Sequence, residues 1–269
     1  MSINRNRLII KLGVLLSLMS LTSISYATHS WNGYHWARTA APFYLQVAES
    51  LTDDWNESFD GSVDLWSQSG KLVLISTPGN DSDRERKRCN AITGQLRVCN
   101  ASYGYNGWLG MASIYIDSNS HITKGTAKMN DSYAEYWTML GEKNHVMCQE
   151  IGHVLGLGHT TENGTSQKTC MDYSSDKDSQ WPNFHDMEQL NTIYGHLDGY
   201  NSYDMGVTDG SSGGGCTAPA GKGCNKNNAA EPAPVPMGVL VHRGSHHEIR
   251  VAPGKDGGLW IHNIRLVHE

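Results

Sequence analysis

Met147–His159 reads MCQEIGHVLGLGH, and the spacing of its polar residues decides how the rest of the chain is read. On a helix, positions four apart sit one above the other, so Gln149 and His153 project from one face, with Glu150 one step round. Gly156 can take the left-handed conformation on which helices end. Three residues on, His159 can then swing back toward His153. Two imidazoles, one amide oxygen and one carboxylate around a point suit a Zn²⁺ ion that keeps an open position for water. Such an ion lowers the pKa of its water toward about 7, and an adjacent glutamate can take the proton as the oxygen attacks a carbonyl. Glutamine is a neutral oxygen donor, weaker for zinc than imidazole, so a Gln149, His153, His159 set holds the metal less tightly than three histidines would. His145 lies about 12 Å along the helix axis from His153, too far for both to bind one ion without distortion.

The ends of the chain carry different signals. Arg5, Arg7 and Lys11 precede the apolar run LGVLLSLMSL, and Ser25 and Ala27 are small residues before a cut. That pattern predicts a secretory signal peptide over residues 1–27. The run is short for a membrane span and no later segment is apolar enough to be one. Residues 1–27 hold three cations and no anions, so the formal net charge of −6 becomes −9 once they are removed. An acidic surface argues against nucleic acid and anionic membrane as partners and fits a soluble secreted protein, expected to be a monomer.

All six cysteines lie beyond the leader, and in an exported chain an even count favours disulfides. Cys89–Cys99 and Cys216–Cys224 each bracket a short loop, which leaves Cys148 with Cys170, although six cysteines allow fifteen pairings.

Between the ends, FYLQVAES (43–50) alternates like a strand. Trp55, Phe59, Val63 and Trp66 follow at helical spacing behind Asp53 or Asp54 as a cap, and KLVLIS then reads as a buried strand. This order predicts one strand–helix–strand crossover. Residues 80–100 are polar and read as an exposed excursion pinned by Cys89 and Cys99. GMASIYID and HITKGTAKMN read as two paired strands. A helix is expected from about 141 to 156, and a second in PNFHDMEQLNTIYGHL, capped by Asn183 or Asp186 and closed by Gly195. Residues 205–237 are rich in Gly, Asn and Pro and read as a linker with a short disulfide loop. Residues 238–269 regain strand character as a small β-meander, packed back on the domain or appended to it. The aromatic cluster SWNGYHW (30–36) reads as an N-terminal segment packing on the sheet, with structural histidines. His29, His121 and His185 have no position assignable from sequence.

The central stretch resembles the long zinc signature of the metzincin metallopeptidases, H-E-x-x-H-x-x-G-x-x-H followed by a Met-turn. Glu150, His153, Gly156 and His159 match it, and Gln149 stands where the first histidine belongs. TCMDY supplies Met171 as the Met-turn residue and Tyr173 where astacins and serralysins place a tyrosine near the zinc. The resemblance covers roughly residues 30–200. It implies an α+β, matrixin-like catalytic domain over 28–204 with a twisted, mostly parallel sheet, an active-site helix and a C-terminal helix. Residues 111–129 would then form the rim hairpin along which extended substrates bind. It also implies a secreted zinc endopeptidase acting on protein or peptide substrates, with Gln149, His153 and His159 holding Zn²⁺, Glu150 as general base and Tyr173 assisting. The competing reading is an inactive, metzincin-like binding protein that lost hydrolysis with its first histidine.

Overall fold

The computed structural model describes residues 28–138, 140–204 and 234–267. The expected leader, most of the linker and the Cys216–Cys224 pairing lie outside those residues.

Phe43–Ser50 forms strand β2, which turns Phe43, Leu45 and Val47 into the core. Helix α1 (Asn56–Trp66) buries Phe59, Val63 and Trp66 along one stripe. The chain then returns as β3 (Leu72–Pro78), parallel to β2 from Phe43 opposite Leu72 to Glu49 opposite Pro78. The crossover is the one the periodicity predicts. Its cap is not. Asp53 and Asp54 lie in a short 3₁₀ turn, Asp53–Trp55, and neither caps α1; Asp54 instead pairs with Lys143 at 2.9 Å.

The segment from 80 to 100 is only partly an excursion. Asp83–Arg88 forms a short surface helix, α2, but Leu96–Ala101 is strand β4, buried at every position. Strand β4 lies between β2 and β6 (His121–Asn130), parallel to both. Strand β5 (Trp108–Ile116) pairs antiparallel with β6, and the two-residue β1 (His35–Trp36) lies parallel to the start of β6. Helix α3 (Leu140–Val154) packs across β5, β6 and α1, and Trp66 Nε1–H donates to the Cys148 carbonyl at 3.1 Å. Helix α4 (Phe184–Ile193) opens with a capping box, in which Asn183 and Asp186 each accept from the other end's backbone.

The described part of the expected meander, residues 238–267, joins the same sheet. β7 (Val239–Arg243), β8 (His247–Pro253) and β9 (Leu259–Leu266) form an antiparallel meander, and β9 pairs antiparallel with β5 from Trp108–Leu266 to Ile116–Leu259. The sheet order is β3-β2-β4-β6-β5-β9-β8-β7, with β1 against β6. Four pairings among the described residues are parallel and four antiparallel, so the sheet is mixed where the sequence suggests a mostly parallel one. The meander supplies three of the antiparallel pairings. All nine residues of β5 are buried, because it has a strand on each side and α3 over one face. No described helix is long and apolar enough to cross a membrane.

Among the described residues, two disulfides close loops. Cys89–Cys99 links the end of α2 to β4, and Cys148–Cys170 links α3 to the segment carrying Met171.

Candidate active site

Helix α3 ends one residue short of a Schellman turn. Leu157 N–H donates to the Gly152 carbonyl (3.1 Å) and Gly156 N–H to that of His153 (3.0 Å). Gly156 sits at φ +98°, where a Cβ would meet the Tyr34 carbonyl oxygen at 2.1 Å. Only glycine serves there. The turn reverses the chain and brings the His159 ring to 4.5 Å from that of His153, at 85°.

Within this pair, His153 is fixed. Its Nδ1–H donates to the Leu157 carbonyl (2.8 Å), and Trp31 stands edge-on at 5.7 Å. Its Nε2 therefore keeps a lone pair, which is buried and has no hydrogen-bond partner. The His159 Nε2 lies 2.6 Å from the Tyr173 hydroxyl. Burial lowers the His153 pKa to about 3, with His247 and Arg265 adding to the effect. Burial, then His153, also holds His159 well below its usual value. Both rings are neutral near pH 7, the form in which imidazole binds a metal.

Glu150 lies one helical step away, fully buried, and its carboxylate has no side-chain partner, only the Ala112 backbone N–H. Gly110 of β5 makes room for it, since a Cβ there would come within 2.3 Å of Oε1. Burial raises the Glu150 pKa to about 8, against the opposing pull of Arg265. Tyr173 is pushed well above its usual value, again by burial. Met171 packs directly under α3, its sulfur where a side chain on Gly152 would reach at 2.5 Å.

Gln149 does not join the histidines. Its Nε2 donates to the carbonyls of Cys170 (2.9 Å) and Asp172 (2.8 Å), which uses both amide hydrogens. Its Oε1 accepts from Arg265 Nη1 at 2.8 Å. The sequence-based expectation that Gln149 turns its oxygen to a metal is thus replaced by a hydrogen-bonded amide beside a buried guanidinium. His145, expected to be too distant, is likewise turned to the Asp172 carbonyl at 2.9 Å.

The groups that sequence reasoning missed come from the meander. Arg265 is 2% exposed, lies 5.5 Å over the Tyr173 ring and reaches Glu142 at 3.5 Å. His247, buried on β8, stands 4.9 Å from the His159 ring and 3.6 Å from Glu162, and its Nδ1 has no hydrogen-bond partner. His159, Glu162 and His247 offer ligand atoms within 4.8 Å of one another. No spacing signal links positions 247 and 265 to the MCQEIGH stretch. Beside the site opens a cavity of about 600 Å³ bounded by Tyr136, Glu142, Tyr173, His246 and Arg265.

Buried imidazole nitrogens without partners, beside a buried carboxylate held by a single backbone N–H, are costly in a dry interior, and a divalent cation would satisfy the imidazoles. The residues that could hold it are His153 and His159, with His247 and Glu162 on the meander side. No protein-family model matches the chain, and no curated protein matches its sequence.

Proposed function

We propose that this protein is a secreted, zinc-dependent peptidase in which Glu150 is the general base. One observation carries the reading: His153 Nε2 is buried and unpartnered beside His159, and the buried Glu150 carboxylate next to it has no side-chain partner, only the Ala112 backbone N–H. In this reading His153 and His159 are ligands, and His247 takes the place that Gln149 leaves open. Gln149 is a positioning residue that ties α3 to the Cys170–Asp172 backbone. Zinc would supply an activated water and a Lewis acid for the carbonyl. Glu150 would accept the water's proton and pass it to the leaving amine. The nearby positive charge would bring its raised pKa back down, so that the carboxylate is ionised near neutrality. Tyr173, protonated and against His159, can donate to the developing oxyanion. The disulfides agree with export.

The substrate's approach differs from the one suggested by the resemblance. Strand β9 occupies the free side of β5, so an extended peptide cannot add there as a further strand. The cavity beside Tyr173 and Arg265 offers an entrance instead. The same coverage, with Arg265 on Gln149, favours the second reading, a metzincin-like binding protein without hydrolysis.

The test is metal content and cleavage on the purified chain. The peptidase reading expects close to one zinc at this centre, cleavage of an unfolded protein, and loss of cleavage in Glu150→Ala with zinc retained. His247→Ala should weaken zinc at this centre. Retained zinc with no cleavage by the unaltered chain selects the binding protein. Absence of zinc from His153 and His159 would sink both metal-based readings.

A further inference from the structure

On the far side of the N-terminal segment, three imidazoles surround one carboxylate oxygen. His35 Nε2, His121 Nε2 and His196 Nε2 lie 3.5, 3.5 and 3.4 Å from Asp198 Oδ1. The rings of His35 and His121 are 4.7 Å apart and those of His35 and His196 are 4.9 Å apart. The four residues come from β1, the start of β6, and the stretch just after α4. None belongs to the centre described above.

The outer contacts orient each ligand atom inward. His35 Nδ1–H donates to the Gly33 carbonyl at 2.8 Å, which turns its buried Nε2 toward Asp198 Oδ1 at 3.5 Å, beyond the usual hydrogen-bond length. His121 Nδ1–H donates to the Tyr200 hydroxyl at 2.8 Å, and Tyr200 in turn donates to Asp117. Asp198 Oδ2 accepts from the Arg38 backbone N–H at 2.9 Å, which leaves Oδ1 facing the imidazoles. Such a second layer of carboxylate, hydroxyl and carbonyl is what fixes histidine ligands around a metal.

The separations also suit an ion better than hydrogen bonds. N–H···O bonds favour about 2.7–3.2 Å. A tetrahedral zinc with bonds of about 2.0–2.1 Å holds its ligand atoms about 3.3–3.4 Å apart. Three imidazole nitrogens cannot all bond one carboxylate oxygen well at these distances, and a metal ion among them would satisfy all four atoms together.

We propose that His35, His121 and Asp198 form the core of a second, structural Zn²⁺ site, with His196 closing the fourth position from the solvent side. Three imidazoles and one carboxylate match zinc's preference for nitrogen with hard oxygen. His35, His121 and Asp198 have ligand atoms within 4.8 Å of one another, while the His196 side chain is 56% exposed and free to move in. The ion would tie the N-terminal segment to β6 and to the chain beyond α4. That segment carries Trp31, which packs on His153, and the Tyr34 carbonyl beneath Gly156. The site would therefore brace one wall of the candidate active site without touching substrate.

The test counts zinc on the full chain by elemental analysis after equilibrium dialysis, in a His153→Ala background so that failure of the peptidase reading does not obscure it. Asp198→Asn should lose one bound zinc, and His196→Ala should bind that ion about tenfold or more weakly. Zinc should raise the thermal midpoint of the background protein more than that of either variant. Cobalt(II) should give a tetrahedral absorption spectrum that Asp198→Asn lacks. If Asp198→Asn does not fold, His196→Ala decides alone, because its ring is largely in solvent. Equal zinc number and affinity in the background protein and His196→Ala overturns the proposal.

Discussion

Arg265 Nη1 stands 2.8 Å from Gln149 Oε1, which joins strand β9 to helix α3 across 116 residues of sequence. The bond satisfies a buried amide and buries a guanidinium that also faces Glu142 and the Tyr173 ring. Arg265→Met should cost about 3 kcal/mol in urea unfolding, because it leaves Gln149 and Glu142 without their cation. An unchanged midpoint would show that the contact carries no stability.

Gly156→Ala should destabilise the protein by about 2 kcal/mol or more, since the methyl group meets the Tyr34 carbonyl at a positive φ. Thermal unfolding with and without zinc checks it. The loss should be accompanied by weaker zinc binding, because the same turn aims His159.

Acid should weaken the fold partly through His262. Its Nδ1 lies 2.8 Å from Ser113 Oγ and its Nε2 3.0 Å from the Pro236 carbonyl, and burial lowers its pKa to about 4 against an ordinary 6.5. The unfolded chain takes up the proton first, so this stability is present above pH 6.5 and falls as the pH drops toward 4. The loss is about 3 kcal/mol. His262→Gln should flatten the stability profile across that window in urea titrations. Parallel profiles for the two proteins would place the acid sensitivity elsewhere.

With metal stripped by a chelator, Glu150 should act in the opposite direction. Its pKa is about 8 in the folded protein against an ordinary 4.5. The folded state holds the proton longer, so the contribution is full below pH 4.5 and is lost as the pH rises through 8. Glu150→Gln should remove that decline in the metal-free protein. A wild-type decline that persists in the variant would show that Glu150 is not its source.

The elements best read from sequence are those whose partners are close in the chain. Trp55, Phe59, Val63 and Trp66 mark α1 by spacing, and Asn183 with Asp186 marks the start of α4. Strand β4 escaped because its residues look like surface. Arg97 and Asn100 are buried, yet each has partners from distant segments: Arg97 reaches Ser50 Oγ, and Asn100 reaches Thr52 and Asp131. The neighbourhood of Glu150, His153 and His159 was legible because one helix and one turn set it. The role of Gln149 was not, because its partners Arg265, Cys170 and Asp172 are fixed only once the chain has folded. Asp198 and the three imidazoles around its Oδ1 were opaque for the same reason, since they come from three separate segments with no shared period.

Strand β9 lies along a β5 that is buried from end to end. Without it, the apolar flank of β5 would be a long bare edge, the kind of surface that recruits strands from other molecules and seeds clumping. Shortening the chain before residue 238 is thus expected to give a sticky, self-associating product rather than an unmasked enzyme.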